Sequence, residues 1–223
     1  MIEPPGFAAP RSAFNEVSIP RLFAYHRALA TQGEGTTVIT SDGLAGLLGY
    51  TISGNQIRKD LSALGPFGRR GRGYAIKPLV RQLGLVLGLE HDWRIAIVGF
   101  GYLGHAFATF ITAREERFKI TAIFDSSSAL IGQSWQGIRV CDAREIESVL
   151  GNAECNIGVI AVPAEAAQNT AERLAALGIQ ALLNFAPASL NVRAPVIVRN
   201  IDLAGELSIL THRLSFENGY GFA

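Results

Sequence analysis

The sequence predicts an α/β protein of two domains, a small helical domain followed by a parallel sheet with helices on both faces. Residues 1–90 carry helical periodicity and one glycine-rich hairpin pattern, whereas apolar strands and helices alternate after residue 93. A glycine-rich turn joins the first of these strands to its helix. Charge changes sign at the same place: ten basic and six acidic residues give 1–90 a net charge of +4, and residues 91–223 carry −3.

The composition excludes several classes of protein. Of the 223 residues, 48% are hydrophobic and 17% charged, which is ample for a buried core. The densest apolar run, Leu83–Leu89, is far shorter than the ~18–20 residues of a membrane span, and residues 1–17 do not resemble a signal peptide. Cys141 and Cys155 form no CxxC pair or Cys/His cluster. We therefore expect a cytoplasmic protein with reduced thiols, no membrane association and no metal site.

The first domain has the pattern of a helix-turn-helix. A helix is predicted from Ile19, because Pro20 suits a first helical turn and apolar residues then recur every three or four positions. A second, short helix follows the cap cluster 40–42, and a third begins at residues 51–53. Two helices joined by a tight turn and supported by a preceding helix are typical of a helix-turn-helix.

A wing is predicted next to these helices. Residues 65–74 are rich in glycine and arginine and favour a β-hairpin with a basic tip. A connecting helix is predicted over Lys77–Leu89. The winged-helix domain would span 18–90, and the prolines and glycine within 1–17 indicate a flexible arm before it.

The charge of this domain predicts a polyanionic partner. The window 53–81 holds seven basic residues and one acidic residue, a net charge of +6. In a helix-turn-helix the N-terminal residues of the second helix contact base edges in the major groove, and arginines of a wing suit phosphates or a narrow minor groove. Ile57 and Leu61 should face the core. The side chains predicted to contact DNA are Ser53, Asn55, Gln56, Arg58, Lys59, Arg69, Arg70 and Arg72.

The second domain, residues 91–201, alternates strands with helices, which predicts a Rossmann-like parallel sheet. The predicted strands are 94–100, 119–125, 138–141, 156–162, 179–185 and 196–201. The predicted helices are 102–112, 142–150, 164–177 and 202–214.

A nucleotide site is predicted at the first turn of this sheet. The segment Gly99-Phe100-Gly101-Tyr102-Leu103-Gly104 is a GxGxxG that follows a strand and opens a helix. The first glycine permits the tight turn, the second lets the backbone approach a pyrophosphate, and the third lets helix pack on strand. Asp125 ends the next strand, where a carboxylate accepts hydrogen bonds from an adenosine ribose and repels the 2′-phosphate of NADP.

Two later strands end at the same edge of the sheet, where ligands of open α/β sheets bind. The segments Val162-Pro163-Ala164 and Asn184-Phe185-Ala186-Pro187 are therefore expected to line the nicotinamide half of a dinucleotide. No Tyr-x-x-x-Lys pair is visible, and His105 lies in a first helical turn, which favours a surface or packing role. The sequence therefore predicts a protein without catalytic residues.

These motifs together resemble the Rex family of redox-sensing transcriptional repressors. The similarity runs from Ile19 to about Leu214. Its most specific parts are Gln56-Ile57-Arg58-Lys59-Asp60-Leu61-Ser62, the wing from Gly65 to Tyr74, the GxGxxG, Val162-Pro163-Ala164, the segment Gly178-Ile179 through Leu183-Asn184-Phe185-Ala186-Pro187, and Ile201-Asp202-Leu203.

The resemblance implies a homodimer whose C-terminal helix, within 202–223, is exchanged between subunits. It implies binding to inverted-repeat operator DNA, release by NADH, competition by NAD⁺, and operator reading by Arg58 and Lys59. It also implies that Asp202 joins a polar network linking the dimer, the cofactor and the DNA-binding domain, and it offers Arg27 as a candidate partner in that network. Many members carry a tyrosine where this chain has Phe110, so one hydroxyl of that network is missing here.

Two alternatives stay open at this point. The chain could be a small NAD-dependent oxidoreductase with an accessory domain, which the lack of an acid/base pair disfavours. It could also be a winged-helix regulator whose second domain binds another nucleotide, such as a CoA-type ligand. Asp125 favours a ribose diol and disfavours this second alternative.

Overall fold

The computed structural model describes residues 14–33, 37–65, 68–69, 72–151, 154–193 and 195–217. Most of the predicted arm lies outside these residues, as does Arg70. The chain divides into two compact units, Met1–His91 (unit 1) and Asp92–Ala223 (unit 2). In the described part of the chain, no helix is both long and apolar enough to cross a membrane.

Unit 1 consists of helices with a small sheet. Its elements are α1 (Ile19–Ala30), β1 (Val38–Ile39), α2 (Ser41–Leu47), α3 (Gly54–Ser62), β2 (Gly68–Arg69), β3 (Gly73–Ala75) and α4 (Ile76–Val86). Side-chain caps fix two of the helix starts: Thr40 accepts a hydrogen bond from Gly43 N at 3.0 Å, and Ser53 accepts one from Gln56 N at 3.2 Å.

Apolar faces of all four helices meet in one core in unit 1. Ile57 and Leu61 of α3 are fully buried there, as the periodicity predicts. The wing strands β2 and β3 pair antiparallel, and β1 joins the other side of β3. The sequence analysis missed β1, because a two-residue strand leaves no readable alternation. The other buried apolar residues include Leu22, Tyr25, Leu29, Leu44, Leu79 and Leu83.

Unit 2 confirms the predicted α/β sheet. Its elements are β4 (Trp93–Val98), α5 (Tyr102–Arg114), β5 (Phe118–Asp125), β6 (Ser134–Trp135), β7 (Ile138–Asp142), α6 (Ile146–Leu150), β8 (Ile157–Ile160), α7 (Ala164–Ala176), β9 (Ala181–Asn184), β10 (Ile197–Asn200) and α8 (Leu203–Glu217). The strand order is β10-β9-β8-β4-β5-β7-β6. Strands β10 through β7 pair in parallel, and β6, which the sequence analysis missed, pairs antiparallel with β7.

The sheet separates two apolar layers. Ile95 and Ile97 of β4 face the layer that holds Ala108 of α5, whereas Ala96 and Val98 face the layer built on α6 and α7. From β4, the chain first adds strands on one side of the sheet (β5, β7) and then, from β8 onward, on the other side. Ligands of open α/β sheets bind at such a switch point, here between β4 and β8. The glycine-rich turn after β4 lies there.

Candidate nucleotide-binding site and DNA-reading surface

The three motif glycines of the turn after β4 occupy three different environments. Gly99 has φ +93°, and a Cβ there would overlap the carbonyl of Ala161. A Cβ on Gly104 would overlap the carbonyl oxygen of Gly99. At Gly101, by contrast, a Cβ would have nothing within 4 Å. Gly99 and Gly104 are therefore required by the fold itself, whereas the protein leaves the space beside Gly101 open.

The start of α5 is arranged to meet an anion. Gly101 is its N-cap and contributes no side-chain cap, so N–H groups of the first turn lie beside the open space at Gly101. The next two side chains, Tyr102 and Leu103, are exposed. The helix is 13 residues long, and the partial positive charge of its N-terminus adds to the N–H donors.

Asp125 holds the turn in place. Its Oδ2 accepts a hydrogen bond from Phe100 N at 2.6 Å, and its Oδ1 accepts one from Ser127 N at 2.7 Å. The carboxylate thus fixes the backbone between the first two motif glycines and shapes its own loop. The sequence analysis predicted a ribose contact for Asp125 and missed this positioning role, which pairs residues 25 positions apart.

The two other strand ends differ in exposure. Pro163 is the exposed N-cap of α7, flanked by half-buried Val162 and exposed Ala164. Asn184 is fully buried, and its Nδ2 donates to Ala188 O at 2.8 Å and to Asn200 Oδ1 at 2.9 Å.

The side chain of Asn184 therefore organises the turn that carries the next three predicted residues. Ala186 N donates to Asn184 Oδ1 at 3.0 Å, and Ala186 is buried. Phe185 packs edge-on against Phe107 of α5, with 5.7 Å between ring centroids, and Pro187 is exposed.

An aromatic cluster lies beside the glycine turn. The rings of Phe100, His105 and Trp135 meet edge to face, with centroids 5.3–6.3 Å apart. His105 therefore has a packing role, which agrees with the sequence prediction. Trp135 comes from the unpredicted strand β6, and no local pattern indicated its contact with the turn.

The exposed face of α3 carries most of the predicted DNA contacts. Ser53, Asn55, Arg58 and Lys59 are exposed, whereas Gln56 is half-buried. The Gln56 amide donates to Asp60 Oδ1 at 2.8 Å, so in this structure it faces the protein. In the wing, Arg72 is exposed in the turn before β3, Arg69 lies in β2, and Arg70 falls outside the described residues.

A partly buried ion pair anchors α3 to α1. Arg21 donates through Nε and Nη2 to the two carboxylate oxygens of Asp60, at 2.7 and 2.8 Å. The hydroxyl of Tyr25 donates to Asp60 Oδ2 at 2.8 Å. Burial alone would raise the pKa of Asp60, but the hydrogen bonds from Arg21, Tyr25 and Gln56 outweigh it, so that this pKa lies below its ordinary value.

This network was not predicted. The only local signal is spacing: Arg21 and Tyr25 share one face of α1, and Gln56 and Asp60 share one face of α3. Which two faces meet is decided by helix packing.

The residues predicted to join the subunits lie on exposed surfaces. Arg27 is exposed in the last turn of α1. Phe110 is 52% exposed on α5, with the Arg114 guanidinium 5.2 Å from its ring centroid. Asp202 accepts a hydrogen bond from Gly205 N at 2.9 Å and caps α8. Their roles between subunits stay predictions.

The amino-acid sequence is similar to a family model and to repressors of known name. The family model described as "CoA binding domain" matches residues 90–188. A redox-sensing transcriptional repressor Rex from Desulfitobacterium hafniense is 42% identical over 197 residues, which cover 88% of this chain and 93% of the relative. Rex 1 of Thermotoga maritima is 41% identical over 200 residues, 89% of this chain and 94% of the relative.

Solved structures agree with these relatives. RSP in complex with β-NAD⁺ and operator DNA matches with a TM-score of 0.84 and 33% identity, covering 93% of this chain and 95% of that one. RSP in complex with β-NADH matches with a TM-score of 0.79 and 31% identity, covering 93% and 97%.

The fold and the two sites define a transcription regulator in which a winged helix-turn-helix is joined to a nucleotide-binding Rossmann domain. Its relatives are named as repressors and not as enzymes, so the oxidoreductase alternative is rejected. The chain belongs to the Rex family of redox-sensing transcriptional repressors.

Proposed function

We propose that this repressor binds an inverted-repeat operator as a homodimer, tolerates NAD⁺ in that state, and leaves the DNA when NADH binds. The observation that carries the proposal is the match of 93% of the chain, at a TM-score of 0.84, to a Rex-family repressor in complex with β-NAD⁺ and operator DNA. A protein that binds operators works where the chromosome is, which supports a cytoplasmic location.

The residues of the glycine turn fit a dinucleotide. The open space at Gly101 and the uncapped start of α5 suit the pyrophosphate, and the carboxylate of Asp125 suits the ribose diol and disfavours a 2′-phosphate. The backbone after β8 and β9, at Val162–Ala164 and Phe185–Pro187, would line the nicotinamide ring. The buried amide of Asn184 would hold the second of these turns in shape.

The exposed residues of α3 fit the major groove. Arg58 and Lys59 would contact guanine or phosphate, and Ser53 and Asn55 would contact neighbouring groups near the start of the helix. Arg69, Arg70 and Arg72 of the wing would bind phosphates or enter the minor groove. In a dimer on an inverted repeat, the two copies of α3 must lie about one DNA turn apart, ~34–36 Å.

The last helix supplies the surface for the dimer. Leu203, Leu207, Leu210 and Leu214 of α8 recur every three or four positions, and each is 54–63% exposed. An apolar stripe of this length on a single chain is typical of a protein interface. We propose that α8 packs on the second copy, so that a ligand in unit 2 can change the spacing of the two reading helices.

We assume two dimer geometries, one that binds the operator and one that does not. NADH can release DNA only if its affinity is higher for the geometry that does not bind the operator. Linkage then requires operator DNA to weaken NADH binding by the same factor, about 5- to 150-fold for ordinary couplings.

Fluorescence anisotropy tests the proposal. A labelled inverted-repeat duplex, selected by the protein from a random pool, is titrated at fixed salt with protein alone, with NAD⁺ and with NADH. We expect NADH alone to weaken binding at least fivefold. Gly101→Ala should bind the duplex but lose the NADH response. Equal affinity under all three conditions would refute redox control.

A second candidate effector follows from one observation, the match of residues 90–188 to a family described as CoA binding. A further titration with CoA separates the two: release by CoA but not by NADH would replace the proposed effector and leave the DNA-binding function in place.

A further inference from the structure

The guanidinium of Arg58 is held in a cage of three side chains. Its Nη1 donates to Ser41 Oγ at 2.5 Å, and its Nη2 donates to Asn55 Oδ1. The carboxylate of Asp42 forms an ion pair with the same group, with Oδ2 3.6 Å from Nη1. The Arg58 side chain is nevertheless 49% exposed, so a ligand can reach it.

The packing of α2 on α3 brings Asp42 to this place. Gly54, the first residue of α3, is buried, and a Cβ on it would overlap Asp42 Oδ1. The absence of a side chain at Gly54 therefore lets the carboxylate lie against the start of the reading helix. The N-terminus of a helix stabilises a nearby carboxylate or phosphate alike. Asp42, whose side chain is 77% exposed, thus puts a negative charge where a DNA phosphate would otherwise approach Arg58.

This arrangement treats the two kinds of DNA contact differently. Affinity for DNA of any sequence comes from contacts to the charged phosphates. Asp42 weakens such contacts in two ways: its carboxylate repels a phosphate, and it neutralises part of the charge of Arg58. The edge of a guanine is neutral and offers two acceptors, O6 and N7, which can replace the bonds that Arg58 makes to Ser41 and Asn55. The side chains around Arg58 therefore weaken its binding to a phosphate more than its binding to a base edge.

We propose that Asp42 is a specificity-determining residue of this repressor: it reserves Arg58 for bases and lowers affinity for DNA of unrelated sequence. The proposal rests on the proposed DNA-reading role of Arg58. It concerns the ratio of the affinity for the operator to the affinity for unrelated DNA. This ratio determines how well a repressor occupies its operator when many other DNA sites compete.

The test compares the Asp42→Asn variant with the unmodified protein. Both are titrated with the selected operator and with a scrambled duplex of equal length, at several salt concentrations. We expect affinity for the scrambled duplex to rise about five- to tenfold near 0.1 M salt, and the slope of log K against log salt to steepen by about 0.9. Operator affinity should rise less, so the ratio falls about threefold or more.

Two controls separate this role from a general charge effect. Glu90→Gln removes the same charge from a carboxylate beside Gly84 of α4, and it should leave the ratio unchanged. In an Arg58→Ala background, Asp42→Asn should no longer lower the ratio, because the residue on which it acts is gone.

An unchanged ratio in Asp42→Asn, an equal change in Glu90→Gln, or the full effect without Arg58 would each overturn the proposal while the repressor function stood. If the unmodified protein does not distinguish the two duplexes at all, the proposed function fails with it.

Discussion

Asp60→Asn should loosen unit 1 without removing any residue predicted to contact DNA. Asp60 accepts four hydrogen bonds: two from Arg21, one from Tyr25 and one from Gln56. The three bonds from Arg21 and Tyr25 join α1 to the reading helix α3, whereas the bond from Gln56 lies within α3. The asparagine has nearly the same shape but only one acceptor oxygen and no charge, so Arg21 loses its partner.

The size of the effect follows from burial. The Asp60 side chain is 6% exposed, and that of Arg21 is 25% exposed. Removing one partner of a buried pair costs about 3–5 kcal/mol, and water can reach Arg21 in part, so we expect a loss of about 2–3 kcal/mol. Amides that exchange only when unit 1 opens should then lose protection by about 30- to 150-fold.

Amide hydrogen exchange followed by mass spectrometry is the suitable assay. The only two tryptophans of the chain, Trp93 and Trp135, lie in unit 2, so tryptophan fluorescence does not report on unit 1. Peptides from α1 and α3 report directly on the contact that is broken. Because the chain has two units, a single unfolding midpoint would mix them.

A matched control is Glu147→Gln. Arg173 binds Glu147 through the same two nitrogens, both at 2.6 Å, and this pairing lowers the pKa of Glu147 to about 2. Glu147 is however 52% exposed, so water replaces the lost contacts and protection of α6 and α7 should not change.

Unaltered protection of α1 and α3 in Asp60→Asn would show that the Asp60 network does not hold α1 and α3 together. The pH dependence gives a second check. The pKa of Asp60 is lowered in the folded protein, so its stabilisation is complete above the ordinary carboxylate value near 4 and is lost as the pH falls through the folded pKa. Protection of α3 should therefore fall below about pH 4 in the unmodified protein and depend less on pH in the variant.

Three further changes address the nucleotide site and the dimer. Gly101→Ala should weaken NADH binding at least about tenfold in a fluorescence titration without lowering thermal stability, because the methyl group meets no protein atom but blocks close approach of the pyrophosphate; unchanged affinity would place the ligand elsewhere. Asp125→Ala should weaken NADH binding about tenfold, since the carboxylate fixes Phe100 N. In parallel titrations it should also reduce the preference for NADH over NADPH, since the carboxylate repels a 2′-phosphate. Leu207→Glu with Leu210→Glu should raise the dimer dissociation constant at least about a hundredfold in sedimentation velocity, because both side chains belong to the exposed stripe of α8; an intact dimer would show that another surface joins the subunits.

Much of the fold could be predicted because its signals are local. Ser53 caps α3 through a bond to a backbone group three residues away, and Gly99 adopts a left-handed φ that few other residues tolerate. The burial of Ile57 and Leu61 follows from helical periodicity alone. Each of these features depends on a window of a few residues, which a sequence displays directly.

For the candidate sites, the sequence indicated which residues take part but not the contacts between them. Charge and position in the predicted reading helix indicated Arg58, but not that Ser41 and Asp42, 17 and 16 positions earlier, enclose it. The glycine motif indicated Asp125, but not that its carboxylate binds the turn itself. Such contacts join side chains far apart in the chain, and no short-range periodicity encodes them.

The two-domain order, the starts of α1, α5 and α7, the glycine turn, and the helix that carries the DNA-reading side chains could all be inferred from the sequence alone. Backbone preference and hydrophobic period are properties of short segments. What each polar side chain faces depends on how the folded helices pack. Packing of α1 on α3 brought Asp60 to Arg21 and Tyr25, and packing of α2 on α3 brought Asp42 to Arg58. These partners exist only once the apolar faces of the helices have met, since burial sets which surfaces touch and leaves the polar groups to pair across them.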